Sequence, residues 1–465
     1  MSCRIVASVL IGGALIPAGK AQTPSAVMGA THELLYTIIS NPGYGSLRVY
    51  ASGDLDSDGW DDLVLGDPSF NLAAGRIRAF SGASGAQLWE TLGTQSIGST
   101  GLPPGEGMGN AIATLDWDGD GLLDVAGSAP NYSVSIPWPG TAAGRIRVVR
   151  GYDGYLLAEI TPPASVQALS AGGYVLGFGA SMGSGGDLTG DGVPDLVVSA
   201  SQFFPAPGVD AGVVIGIEVP SGQPVTVIPG THHWESIGSF GPFNEVDGVH
   251  ILPGTGPATP ARIVVASPAT DFGTANMAGS LRVYGAAGGS PILEVLGTEA
   301  CGRTGWRLVG YRDVTGDSYP DFAILRWPFD PAGIGCSPFL PAPRIDVFSG
   351  ATLQLAVTQT VYPAVFGNPF QCQRVDLIPD VNGDGQADLL ACSTSSGAAN
   401  SSHTQLYAGT PGNLFTGNPI IGWTITHPIV GYSYGSYLGR GVGDVNNDGW
   451  GDIGMLHVAE LYGAP

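Results

Sequence analysis

Short apolar runs bounded by turn residues recur along this chain. No window longer than ten residues carries a convincing helical period of 3.6. Asp62-Leu63-Val64-Leu65-Gly66, Asp195-Leu196-Val197-Val198-Ser199 and Asp388-Leu389-Leu390-Ala391-Cys392 are continuous apolar stretches, the pattern of buried strands. Gly75-Arg76-Ile77-Arg78-Ala79-Phe80, Gly144-Arg145-Ile146-Arg147-Val148-Val149 and Gly279-Ser280-Leu281-Arg282-Val283-Tyr284 alternate polar with apolar, as half-exposed strands do. These units repeat in one order: a Gly-rich strand, an acidic turn, an apolar strand, a loop, an alternating strand and a fourth strand. Acidic turns begin at Asp54, Asp116, Asp187, Asp313, Asp380 and Asp444, and a degenerate copy fits at Gly254, so the intervals run from 59 to 71 residues.

Such a period suits four short strands with generous loops, and one unit cannot bury both of its faces alone. The pattern predicts an all-β fold, a seven-bladed β-propeller of four-stranded blades over residues 32–465. Residues 32–38 match the outer strands at 86–92 and 291–296 in pattern, yet precede the first inner strand. They are expected to close the last blade as its outermost strand.

The acidic turns carry the candidate chemistry. In the first, Asp54, Asp56, Asp58 and Asp62 surround Gly59 in a D-x-D-x-D-G-x-x-D pattern. Side chains one, three and five converge when the backbone curls, and Gly at six supplies the positive φ of the turn. A carbonyl at seven and the carboxylate at nine would complete an oxygen cage suited to a hard cation such as calcium. The second turn offers Asp116, Asp118, Asp120 and Asp124; the third Asp187, Thr189, Asp191 and Asp195. The fifth offers Asp313, Thr315, Asp317 and Asp321, but Ser318 replaces the Gly, and weaker binding is expected there. The sixth offers Asp380, Asn382, Asp384 and Asp388; the seventh Asp444, Asn446, Asp448 and Asp452. The fourth copy has Gly254, Gly256, Ala258 and Arg262, which form no cage; Arg262 would stand where a cation would sit. An EF-hand is excluded, because position twelve is Leu65, Gly127, Val198, Ile324, Ala391 or Met455 and never Glu. Up to six structural Ca2+ ions are expected.

Composition sharpens this picture. With 39 acids against 17 bases the net charge is −22, and a single Lys with scattered Arg leaves no footprint for nucleic acid. Arg4, the apolar run 5–16 and the small-residue exit at 18–21 describe a secretory signal peptide over residues 1–21, followed by a linker at 22–31. No later segment is apolar enough to span a bilayer. Secretion to an extracellular or periplasmic space, as a monomer, is expected. Export would permit two disulfides among Cys301, Cys336, Cys372 and Cys392, in three possible connectivities. Cys372–Cys392 with Cys301–Cys336 is the preferred pairing, and free buried thiols are the alternative.

On these residues the chain resembles the FG-GAP repeats of the integrin α-subunit head and of related bacterial secreted proteins. Phe178-Gly179 stands ahead of Asp187, and the Gly-Ala-Pro element survives as Gly66-Asp67-Pro68, Ser128-Ala129-Pro130 and Ala266-Ser267-Pro268. The resemblance implies a seven-bladed propeller with calcium in several first turns, and ligands on the opposite face. Loops there hold Tyr132, Trp138, Phe203, Phe204, Trp327, Phe329 and Phe339, which would either form a platform for an extracellular protein or carbohydrate or pack over the blade edges.

No catalytic constellation is evident. Gly179-Ala180-Ser181-Met182-Gly183 matches a nucleophile elbow in letters only, because it precedes a turn and strand where that motif needs a helix. None of the seven His has a zinc spacing. A binding or adhesion module is the favoured reading, and an enzyme acting on an extracellular polysaccharide the alternative. An ionisable cluster at the central channel, outside the cages, would favour the enzyme.

Overall fold

The computed structural model describes residues 5–11, 34–40, 48–94, 105–132, 143–171, 175–207, 209–232, 235–238, 248–254, 260–271, 277–326, 343–360, 371–380, 385–395, 401–407, 409–410, 413–414, 424–428, 439–445, 447, 449 and 451–458. Nearly all regular structure is strand, as the alternating and apolar runs require. Six four-stranded antiparallel blades follow one another along the chain. The first is Arg48–Gly53, Asp62–Asp67, Arg76–Phe80 and Gln87–Leu92. The second is Ile112–Leu115, Asp124–Ala129, Arg145–Val149 and Leu156–Ile160. Blades three to six begin with Leu176–Gly186, Val249–Leu252, Thr304–Arg312 and Gln371–Ile378.

Seven four-stranded blades were expected, the last closed by an N-terminal strand, and the structure has six blades with a separate composite sheet. The seventh acidic turn joins Gly439–Gly441 to Ile453–Val458, which pair antiparallel. Their sheet is extended by Ile5–Ile11 and then Leu34–Ser40, both parallel to their neighbours. Leu34–Ser40 is thus the outermost strand of that sheet, but it does not touch Ile453–Val458 directly. Ile5–Ile11, placed by its sequence in a removable leader, occupies the strand between them.

The core is a series of layers between blades. Leu55, Val64, Ile77 and Trp89 of blade one pack on Met108, Ile112, Val125 and Val149 of blade two. Equivalent layers join blades two and three, three and four, four and five, and five and six. Each blade buries an apolar face that it could not bury alone, at about 25 cal/mol per Å² removed from water. The Gly that precedes the alternating strand has a specific task in this packing. Gly75, Gly144 and Gly279 make parallel bridges to Met108, Phe178 and Thr304 of the next blade. All three have positive φ, and a Cβ there would meet backbone atoms at 2.2–2.3 Å.

Polar bonds tie the composite sheet to its neighbours. Asp376, buried on the innermost strand of blade six, accepts the Gly441 N–H at 2.9 Å. Asp61, in the first acidic turn, accepts the Asp444 N–H at 3.0 Å across almost the whole chain length. Arg312, at the end of blade five's innermost strand, feels both carboxylates, and burial pushes its pKa down. Cys301 is disulfide-bonded, and Cys336, its expected partner, lies outside the described residues. The register sets Cys372 opposite Ser393 and Cys392 opposite Arg374, so that preferred pair is not directly opposed.

Loss of the Asp376 carboxylate would leave a buried N–H without its acceptor. Asp376→Ala is expected to lower unfolding free energy by about 1–3 kcal/mol in urea titrations, with an unchanged β-sheet circular dichroism spectrum.

Candidate metal centre

All six acidic turns share one internal scaffold. The position-one carboxylate accepts the position-six N–H in each: Gly59, Gly121, Gly192, Ser318, Gly385 and Gly449 donate to Asp54, Asp116, Asp187, Asp313, Asp380 and Asp444 at 2.7–2.9 Å. Position six is left-handed throughout, at φ 85–90° for the five Gly and 64° for Ser318. The positive φ expected for the Gly is therefore present, and Ser318 adopts it against its own preference. Position four is left-handed as well, at Ser57, Gly119, Gly190, Gly316 and Asn447. The sequence reading missed this, although Gly at four in the second, third, fifth and sixth copies signals it.

Position nine does a different job from the first five. Asp62, Asp124, Asp195 and Asp321 are fully buried at the start of the second strand. One oxygen of each accepts the position-two N–H, from Leu55, Trp117, Leu188 or Val314, at 2.7–2.9 Å. The other accepts an N–H from the outer hairpin of the same blade: Gly82, Gly151, Val219 or Gly350, at 2.9–3.2 Å. The position-nine carboxylate thus staples the acidic turn to the outer strands. Position two is its apolar counterpart, since Leu55, Trp117, Val314 and Val445 are buried. That row of apolar residues was readable in all six copies and was overlooked.

The electrostatics follow from burial. Desolvation pushes Asp62 and Asp124 up to about 6, outweighing their N–H bonds. Burial likewise raises Asp56, Asp195 and Asp321. Asp187 is the exception: burial pushes upward, but N–H bonds from Gly192 and Gly190 and the Thr189 hydroxyl hold it below the usual range.

The donor sets fit a hard cation. Ligand oxygens of Asp54, Asp56 and Asp58 lie within 4.8 Å of one another, as do those of Asp116, Asp118 and Asp124. Oxygens sharing one calcium at ~2.3–2.6 Å can be at most about 5 Å apart. Two like charges about 4 Å apart repel by ~4 kcal/mol at an effective dielectric of about 20, so a cation among them relieves a real cost. In turn three the Thr189 hydroxyl lies 3.2 Å from an Asp187 oxygen, and in turn five Thr315 lies 3.4 Å from Asp321. Asn382, Asp384, Asn446 and Asp448 lie outside the described residues. The fourth copy differs from expectation. Arg262 does not fill a vacant cage; its guanidinium reaches into blade five and donates to the Gly350 and Ala351 carbonyls at 2.6 and 3.4 Å.

Other candidates are committed elsewhere. Ser181 is buried, its hydroxyl accepting the Gly248 N–H at 2.9 Å, so the elbow-like motif is structural. Tyr132 lies 3.8 Å beneath the Arg145 guanidinium, and Phe203 is buried between blades two and three. Both pack rather than form a platform. Trp138, Trp327, Phe329 and Phe339 lie outside the described residues.

Two outcomes follow. Ser318→Gly should gain about 1 kcal/mol and Gly59→Ala should lose about 1–2, since a Cβ at Gly59 meets nothing and only backbone strain changes; denaturant melts of the metal-free protein read both. A raised carboxylate pKa favours the folded state while the group is protonated, and that contribution is lost as pH rises through the folded pKa. In EDTA, the Tm should therefore rise as pH falls from 7 towards 5, on account of Asp62 and Asp124. Millimolar calcium should flatten or reverse that slope.

Comparison with known proteins places this geometry. Residues 178–215, which contain the third acidic turn, match the FG-GAP repeat family model. The chain is 31% identical over 159 residues to integrin alpha-PS2 of Drosophila melanogaster, covering 33% of this chain and 10% of that protein. It is 29% identical over 171 residues to the phosphatidylinositol-glycan-specific phospholipase D of Bos taurus, covering 35% of this chain and 19% of the relative. Among solved structures, a BBS1N–ARL6DN complex aligns over 81% of this chain and 85% of its own at 13% identity, with a TM-score of 0.44. The rhamnogalacturonan lyase YesW aligns over 83% and 63% at 15% identity, with a TM-score of 0.39. The repeat match, the integrin similarity and the four-stranded blades with their recurring acidic turns describe a β-propeller that carries an FG-GAP repeat at residues 178–215.

Proposed function

We propose that this protein is an exported, calcium-binding propeller that acts as a binding or adhesion module for an extracellular protein or carbohydrate. Calcium is structural in this reading, and the composite sheet serves as a seventh blade that closes the ring. The observation that carries the proposal is the shared scaffold of the six turns, with two sets of three carboxylates already gathered within 4.8 Å. An extracellular setting is supported by the Cys301 disulfide, which needs an oxidising compartment, and by the similarity to integrin α-chains. No helix among the described residues is long and apolar enough to cross a membrane.

The enzyme alternative calls for an ionisable cluster free to act near the ring centre. Arg312, Asp61 and Asp376 do gather there, but each carboxylate spends an oxygen on a backbone N–H of the composite sheet. Such engagement suits ring closure better than proton transfer, so binding is the preferred role.

Thermal unfolding of the full chain in excess EDTA and in millimolar calcium tests the reading. One site at a thousandfold excess over its Kd adds about 4 kcal/mol, so several sites should raise the Tm by many degrees. An unchanged Tm, with no metal in the purified protein, would overturn the calcium assignment.

A further inference from the structure

A groove of about 770 Å³ runs along the rim between blades two and three, and nothing in the functional reading above uses it. Its long side is Leu156–Ile160, the terminal strand of blade two, which among the described residues pairs with Arg145–Val149 alone. Leu157 and Trp117 contribute apolar surface. Ser165 and Gln167, on the short helix Ala164–Gln167, form one end, and the blade-three turn at Gly222 and Gln223 faces the strand. Gly222 holds this wall close: a Cβ there would come within 3.9 Å of the Trp117 ring and 4.0 Å of Ile160.

Three features together favour one class of occupant. A terminal strand offers a row of backbone N–H and C=O groups, the surface to which an extended peptide adds by strand pairing. The volume lies within the range of ligand pockets, and a five-residue strand spans ~17 Å, enough to register about five residues of peptide. The one ionisable side chain of the lining, Glu159, is paired with Arg145 at 2.5 Å and Arg147 at 3.1 Å, so the groove is complementary to an uncharged ligand.

We infer that this groove is a peptide-binding site, in which an extended uncharged segment pairs with the outer edge of Leu156–Ile160. This deepens the binding-module reading, on which it rests, by giving that module a site and a ligand class. A saccharide would use the same hydroxyl and amide side chains but has no use for the strand edge.

The test is selection of a displayed seven-residue random peptide library on the calcium-loaded full chain, followed by amide hydrogen exchange with the enriched peptides. The expected result is enrichment of uncharged peptides that slow exchange at residues 156–161. Their affinity should fall at least tenfold in Gln223→Trp and in Ser165→Trp, two exposed positions where an indole fills the groove while the Tm is kept. Having two filling variants guards against one failing to fold. Peptides that bind without protecting 156–161, or that ignore both variants, would overturn the site, though the binding-module reading would survive with its surface elsewhere. No enrichment at all would also overturn it. Cellohexaose binding that both variants abolish, with no peptide selected, would assign the groove to saccharide and overturn the peptide inference.

Discussion

The hydrogen bond from the position-six N–H to the position-one carboxylate is the constraint on which the rest of this structure depends. It recurs at 2.7–2.9 Å in all six acidic turns, whatever residues occupy the remaining positions. Closing it forces a left-handed residue at six, which is why Gly stands there five times, and a second near position four. The curled turn then aims alternate side chains inwards. Position nine, buried and stapled to the outer hairpin, fixes that turn to the blade. On the proposed reading, cation binding would draw on the same turns that the position-nine carboxylates fix to the blades.

This double use explains the charge of the chain. Twenty of the 39 acids stand at the cage positions, so most of the net −22 is concentrated at the turns and little is spread over the surface. Elsewhere, charges are paired within blades. Arg76, Arg145 and Arg282 on third strands reach Glu90, Glu159 and Glu294 on fourth strands at 2.5–3.0 Å. Arg145 and Arg282 also meet Glu106 and Glu235, two carboxylates with almost no exposure. The pairs to Glu90, Glu159 and Glu294 favour one register of third and fourth strands, while the buried pairs to Glu106 and Glu235 add little stability, because desolvation offsets much of their attraction. At the ring's seam the same acidic turns serve a third purpose, since Asp61 of the first turn holds the backbone of the seventh.

Much of this was legible in the sequence because it is periodic. The apolar runs at Asp62–Asp67 and Asp195–Gln202 read directly as buried strands, and the Gly at six read directly as positive φ. Arg262 was misread because alignment gives a position and not a direction: its long side chain leaves its own turn for the carbonyls of the next blade. Leu34–Ser40 was placed in the last sheet by its likeness to other outer strands, whereas Ile5–Ile11 was read as a leader, because no local pattern reports its pairing with Ile453–Val458. Tyr132 and Phe203 left platform and packing both open, since an aromatic on a loop has the same letters whether it faces solvent or the protein's own interior.

The most direct test of the account is to count calcium. Equilibrium dialysis of the full chain against millimolar calcium, with metal quantified by mass spectrometry, should give about five or six ions per chain, the weakest at the Ser318 turn. Replacing Asp54 and Asp116 with Ala should remove the ions of the first two turns and leave the others. One ion or none in the unaltered chain would contradict the account, and the acidic turns would then be hydrogen-bonded staples alone.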